Sequence, residues 1–179
     1  MIKKRKNVIV YHASYEKIEN IDLSFSKPNK DFGEGFYVTT DYEQAKKFAY
    51  LISKRKKVKK AHINKYMLSN FDNLEVLEFN GADIEWLKCI SGFRNTEKQK
   101  YLKKYLKNDV IIGKVADDNT SLVINAYMRG AFGDLNNSKV MEVVIERLMV
   151  DKLTDQICFK TIKSLQKLKF IESEVIKYA

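Results

Sequence analysis

Residues Asp31 to Tyr50, D-F-G-E-G-F-Y-V-T-T-D-Y-E-Q-A-K-K-F-A-Y, constrain the fold more than any other stretch of the chain. Gly33 and Gly35 flank a single acid, and glycine lets backbone take a positive φ or lie close against a ligand with no side chain in the way. Phe36 to Thr40 is β-prone, with Tyr37 and Thr39 on one face and Phe36 and Val38 on the other. Thr40 or Asp41 then serves as a helix N-cap, with Glu43 or Gln44 placed to close a capping box. Ala45, Phe48, Ala49 and Ile52 follow at helical spacing. The unit is turn, strand, helix, and it delivers an aromatic hydroxyl directly after bare backbone. An ordinary glycine turn entering a strand has the same pattern, so the motif alone assigns no ligand.

Short strands and helices surround this unit. Asn7 to His12 reads as a strand ending at Ala13-Ser14, which puts His12 where a strand meets a loop. Val58 to Leu68 reads as a strand with a basic exposed face, and there His62 is structural or solvated. Leu74 to Phe79 alternates as a strand, and after the Asn80-Gly81 turn Ala82 to Ile90 forms a helix carrying Trp86 into the core. Asn95 to Lys107 patterns as a helix with one face nearly all lysine. Asp109 to Ala116 is a buried strand, and Asp117-Asp118 caps the helix running to Met128-Arg129, as acids at a helix start do without any metal. Ser138 to Leu148 is helical, Asp155 to Thr161 is a strand, Ile162 to Leu168 makes a helical turn and Phe170 to Ile176 is the last strand. Gln156 opens its strand and points opposite to Ile157 and Phe159.

With 179 residues and no repeat or linker, one domain over 1–179 is expected, of α+β class. No apolar run is long enough for a membrane span, and the basic start lacks the apolar core of a signal peptide, so the expectation is a cytoplasmic protein that engages no membrane. Cys89, Cys158, His12 and His62 are too few and too scattered for a disulfide framework or a zinc site, so no metal is expected. The formal charge of +10 favours an acidic partner such as nucleic acid, although lysine rather than arginine makes up the excess and a solvated basic surface explains it equally.

Three strand-associated groups stand out: His12, Tyr37 and Gln156. They suit holding a ligand better than moving a proton, since imidazole and amide hydrogen-bond and the phenol ring stacks. Y-H-A-S at Tyr11 to Ser14 resembles the Y-H-G-S/T strand of ADP-ribosyltransferases of the diphtheria-toxin and poly(ADP-ribose)-polymerase type. G-E-G-F-Y at Gly33 to Tyr37 resembles their G-x-G-x-Y, and D-Q-I-C-F at Asp155 to Phe159 resembles the strand that carries their catalytic acid. The likeness is nearest to a bacterial family of small proteins placed in that superfamily, with D-F-G-x-G-F-Y-x-T-T and Q-I-C-F-K-T as hallmarks. It extends from about Val8 to Phe170.

The resemblance implies a split antiparallel β core with flanking helices around a cleft for NAD. It places His12 on the adenosine ribose, the Ala13 backbone on the nicotinamide amide, Tyr37 stacked on the nicotinamide ring and Gln156 in the catalytic acid's position. The implied catalytic set is Gln156, His12 and Tyr37, and the implied binding set is His12, Ala13, Ser14, Gly35, Tyr37 and Phe48. Ala13 replaces the family's glycine, Phe48 stands for a second stacking tyrosine, and Gln156 carries no charge. Glu34 is the nearby acid expected to make good that loss. The activity implied is mono-ADP-ribosyl transfer from NAD to an acceptor macromolecule, in a toxin with a cognate antitoxin or in phage defence. The alternatives are a catalytically inactive NAD- or nucleic-acid-binding module and an NAD glycohydrolase. On this reading Gln156→Glu retains or raises NAD cleavage, and Tyr37→Phe loses little NAD affinity because the ring is kept.

Overall fold

Alternating apolar residues build two sheets that face one another. In the computed structural model, which describes residues 2–4, 6–95, 102–115, 118–148 and 154–178, the strands are β1 (Val8–Ser14), β2 (Phe36–Val38), β3 (Lys60–Leu68), β4 (Val76–Glu78), β5 (Val110–Lys114), β6 (Asp155–Phe159) and β7 (Leu168–Lys177). The first sheet has the order β1-β3-β7 and the second β2-β6-β5-β4. Val10, Tyr66 and Leu68 from the first meet Phe36, Val38, Val110, Ile112, Ile157 and Phe159 from the second in a shared core. A fully buried side chain of this size contributes about 1.5–3 kcal/mol. Alternate residues point to the outer faces, where Ala13, Ala61 and Ile63 of the first sheet and Ile111 and Cys158 of the second are covered by helices.

Helix α1 (Tyr42–Lys56) packs Ala45 and Ala49 on Ala13, Ala61 and Ile63 of the first sheet. It starts where the sequence places it: the Asp41 side chain accepts from the Gln44 backbone N–H, and the left-handed Lys57 ends it. The second sheet is covered by α2 (Ile84–Arg94), α4 (Asp118–Met128) and α5 (Ser138–Arg147), which bury Trp86, Leu87, Ile90, Ile124, Met141 and Val144 over Ile111 and Cys158. Two short helices, α3 (Lys103–Leu106) and α6 (Ile162–Leu165), connect strands. Of the lysine-rich helix expected over Asn95 to Lys107, residues 96–101 lie outside the described residues, as does Asp117 of the expected acidic cap.

The architecture is α+β, and one pairing departs from the antiparallel expectation. Strand β4 runs parallel to β5, Val76 opposite Val110. A hairpin cannot join parallel strands; the chain between them crosses over through α2 and α3, the length that parallel pairing requires. No helix among the described residues is long and apolar enough to cross a membrane.

Candidate functional site

Among the described residues the two sheets meet edge to edge at one bridge, Tyr11 to Thr39, where each backbone N–H donates to the other residue's carbonyl at 2.8 and 3.0 Å. Both backbone groups of Tyr11 therefore point toward β2, and by strand alternation those of Ala13 point the same way. A second pair of ladder bonds should follow, Ala13 to Tyr37. Instead His12 reaches the Tyr37 carbonyl first, with Nδ1 at 2.7 Å. A carbonyl only accepts, so Nδ1 carries the proton and Nε2 of the neutral ring is left as an acceptor. Burial lowers the His12 pKa, while the bond to Tyr37 opposes that shift. The imidazole also stacks on Phe36, centroids 4.3 Å apart. His12 thus wedges β1 from β2, and the Ala13 backbone edge lies just beyond the wedge.

Tyr37 lies opposite Cys158 on β6, so the two side chains share a face with Gln156, two residues along. The Tyr37 hydroxyl is taken up within the fold. That group donates to the Gly33 carbonyl at 2.6 Å and accepts from the Phe32 N–H at 3.0 Å, so it anchors the glycine turn. Burial, and then the neighbouring Cys158, raise its pKa. Tyr37→Phe consequently costs stability, because two backbone groups lose their partner. The Cys158 thiol is itself pushed up to about 12 by burial, which makes it a packing group and no nucleophile.

The turn is glycine-rich for reasons of packing. Gly33 has φ +77°, and a Cβ on it would stand 2.6 Å from the Phe93 ring. At Gly35 a Cβ would come within 2.4 Å of Cys158 Sγ and 2.7 Å of the Phe159 carbonyl. Ser26 Oγ satisfies both backbone groups of Gly35, at 2.6 and 3.1 Å. Lys160, the residue after β6, grips the same turn through the Phe32 and Glu34 carbonyls at 2.6 and 3.0 Å. Nothing in the apolar patterning singled out Lys160; its position at the end of the Q-I-C-F-K-T run is the signal that was there to read.

Gln156 is buried, 7% exposed, and faces away from Ile157 and Phe159 as its strand position requires. Its Nε2 donates to Asp31 Oδ2 at 2.8 Å, and Arg94 donates to Asp31 Oδ1 from Nε and Nη2 at 3.0 and 2.5 Å. The acid beside Gln156 is therefore Asp31 and not Glu34, whose residue is exposed on the turn. Sequence reasoning reached the turn and chose the wrong acid, because Asp31 and Gln156 are 125 residues apart and only the folded register joins them. Arg94 also lines an open recess of about 350 Å³ with Asn29, Asn95, Asn125, Met128 and Arg129.

Two expected binders sit differently. Ser14 is buried, and its hydroxyl accepts from the Glu16 N–H at 3.3 Å, a local turn. Phe48 is 46% exposed on α1, at the border of the face that buries Ala45 and Ala49. The structure so brings His12, Tyr37 and Gln156 onto three adjacent strands, with Asp31 and Arg94 added and Phe48 on the neighbouring helix. Among the described residues no three His, Cys, Asp or Glu side chains gather as a metal site.

A family profile described as "Protein of unknown function (DUF3990)" matches residues 8–170. No curated protein matches the chain, and no solved structure does. The likeness to ADP-ribosyltransferases accordingly rests on the residues themselves.

Proposed function

We propose that this chain, which belongs to the DUF3990 family, is an NAD-dependent mono-ADP-ribosyltransferase built on a split two-sheet core. The observation that carries the reading is the parting of β1 and β2 at the Tyr11–Thr39 bridge, with the His12 imidazole in the gap. Beyond the gap the Ala13 backbone offers one donor and one acceptor on one edge, which complements a carboxamide. His12 Nε2 would accept a hydrogen bond from the adenosine ribose, so its role is acceptor and not the donor role that a free neutral histidine also permits. The Tyr37 ring would stack on nicotinamide, with its hydroxyl already spoken for by the glycine turn. Gln156 would meet the nicotinamide ribose through Oε1.

NAD supplies the chemistry when bound: the bond between the ribose C1′ and nicotinamide nitrogen breaks with its electron pair going to nitrogen, and an acceptor nucleophile bonds C1′ and releases its proton. The chain's part is to hold the leaving group and orient the sugar, which favours the transition state through contacts that strengthen there. A neutral amide at 156 suits a single transfer better than chain elongation, because it does not polarise an acceptor hydroxyl as a carboxylate does.

Calorimetric titration with NAD, followed by mass spectrometry of released nicotinamide with and without cell lysate, tests the reading. Wild type is expected to bind NAD and to release nicotinamide faster with lysate. Tyr37→Ala should lose about 1 kcal/mol or more of NAD affinity, a stacking magnitude. Tyr37→Phe should keep the affinity and lose about 1–3 kcal/mol of stability in a denaturant titration, from the unpaired Gly33 carbonyl and Phe32 N–H. Release that is equal without lysate makes water the acceptor, and the protein a glycohydrolase. Binding with no release under any condition makes it a binding module, and absence of binding removes NAD altogether.

A further inference from the structure

Gln156 stands where the resemblance expects an acid, yet a carboxylate lies one hydrogen bond behind it. The two oxygens of Asp31 have separate duties: Oδ1 takes both Arg94 contacts, and Oδ2 takes the Gln156 amide. Arg94 Nη2 is also 3.2 Å from Ser121 Oγ, which ties the guanidinium to α4. The side chains of Asp31 and Arg94 are only 12% and 13% exposed. Gln156 is thereby oriented by chemistry. Only Nε2 can donate to a carboxylate, and the same nitrogen lies 3.5 Å from the Lys114 carbonyl, so the amide's N–H side is turned inward. A flipped amide would set oxygen against oxygen at 2.8 Å. What is left for a ligand is Oε1.

We propose that Asp31, held by Arg94, is the positioning residue for Gln156, and that Asp31–Gln156 works as one unit in which the expected acid has moved back by one hydrogen bond. Resting on the transferase reading, this says how a neutral residue serves in the acid's place: Oε1 is presented in a fixed direction as a hydrogen-bond acceptor for a ribose hydroxyl, while the charge stays buried behind it. It also reverses the expectation for Gln156→Glu. A glutamate there sets a second carboxylate against Asp31, and like charges at hydrogen-bond distance repel. Moving the charge requires both positions to change. In Asp31→Asn with Gln156→Glu, the new amide at 31 donates to the new carboxylate at 156, whose other oxygen faces the site.

The test measures nicotinamide release, NAD affinity and thermal melting for wild type, Asp31→Ala, Gln156→Glu and the double variant Asp31→Asn/Gln156→Glu. Asp31→Ala frees the amide to rotate, so kcat should fall by roughly tenfold while KM for NAD stays within about twofold, the pattern of a contact that matters in the transition state. Gln156→Glu should lose at least about tenfold in release and melt lower than wild type. The double variant should recover both, with release at wild-type level or above. A double variant no more active and no more stable than Gln156→Glu overturns the proposal, as does wild-type kcat in Asp31→Ala. If wild type and every variant release no nicotinamide, the transferase reading fails by itself. The Asp31–Gln156 unit is then decided by melting alone, and a double variant that melts no higher than Gln156→Glu overturns it.

Discussion

His12 has one ring nitrogen committed and one free, and its protonation state therefore matters to both stability and binding. Because burial lowers its pKa from 6.5, the unfolded chain takes up a proton at a pH where the folded imidazole is still neutral. The unfolded state binds more protons in that window, so stability falls as pH drops below about 6.5 and levels off below the folded value. His62, beside Ser173, shifts the same way through burial and then Lys60. Denaturant titrations between about pH 8 and pH 5, the histidine range, should show this loss. His12→Asn should flatten it more than His62→Asn does. A full wild-type slope in His12→Asn would mean that the imidazole is not neutral in the folded protein. At this scale the sequence put Gln156 on the face opposite Ile157, but it ended the first strand at His12, whereas β1 stays paired with β3 through Ser14 and holds His12 within it. It did not settle which atom of His12 is free, because the Tyr37 carbonyl that decides it lies 25 residues on.

The element that gathers the site is the turn before β2. Its two glycines looked like room for a ligand, and in the fold that room is filled by α2 and β6. Strands and helix starts were legible because their causes are local: β-branched runs for β5, and Asp41 one residue before α1. The turn's packing was not, since Phe93 and Cys158 come from distant segments. Gly33→Ala should therefore cost about 1–3 kcal/mol, from strain at φ +77° together with the contact at Phe93. Gly81→Ala is the control: nothing lies within 4 Å of its added Cβ, and the change should be neutral or stabilise by up to about 1 kcal/mol. Denaturant midpoints compare the two. Equal stability of both variants would show that the turn yields at Phe93 and does not hold the site rigidly. The parallel β4–β5 pairing was also out of reach, because a strand's alternation carries no record of its neighbour's direction.

At the scale of the whole molecule the net charge is +10, and its longest exposed basic run extends from the last turn of α1 to the start of β3. Lys54 to Lys60 are all exposed, and Lys54 lies 4.5 Å over the Tyr50 ring while Lys56 lies 4.9 Å over that of Tyr15, the residue after β1. The helix dipole accounts for Lys54, Arg55 and Lys56 in the last turn of α1, but not for Lys57, Lys59 and Lys60 beyond it. Cations interleaved with exposed aromatic rings suit a single-stranded nucleic acid, which neutralises charge through phosphate and stacks its bases. If that acceptor lies on this surface, each phosphate contact releases bound cations, and the logarithm of the transfer rate at low acceptor concentration falls linearly with the logarithm of salt, by roughly 0.7 per contact on a single strand. NAD cleavage in the absence of acceptor lacks that term and should stay nearly flat between about 50 and 200 mM salt. Replacing Lys54, Lys56 and Lys57 with Gln should reduce the slope of transfer without changing cleavage. Should transfer and cleavage respond to salt equally, these lysines are a solvated face and the acceptor binds elsewhere.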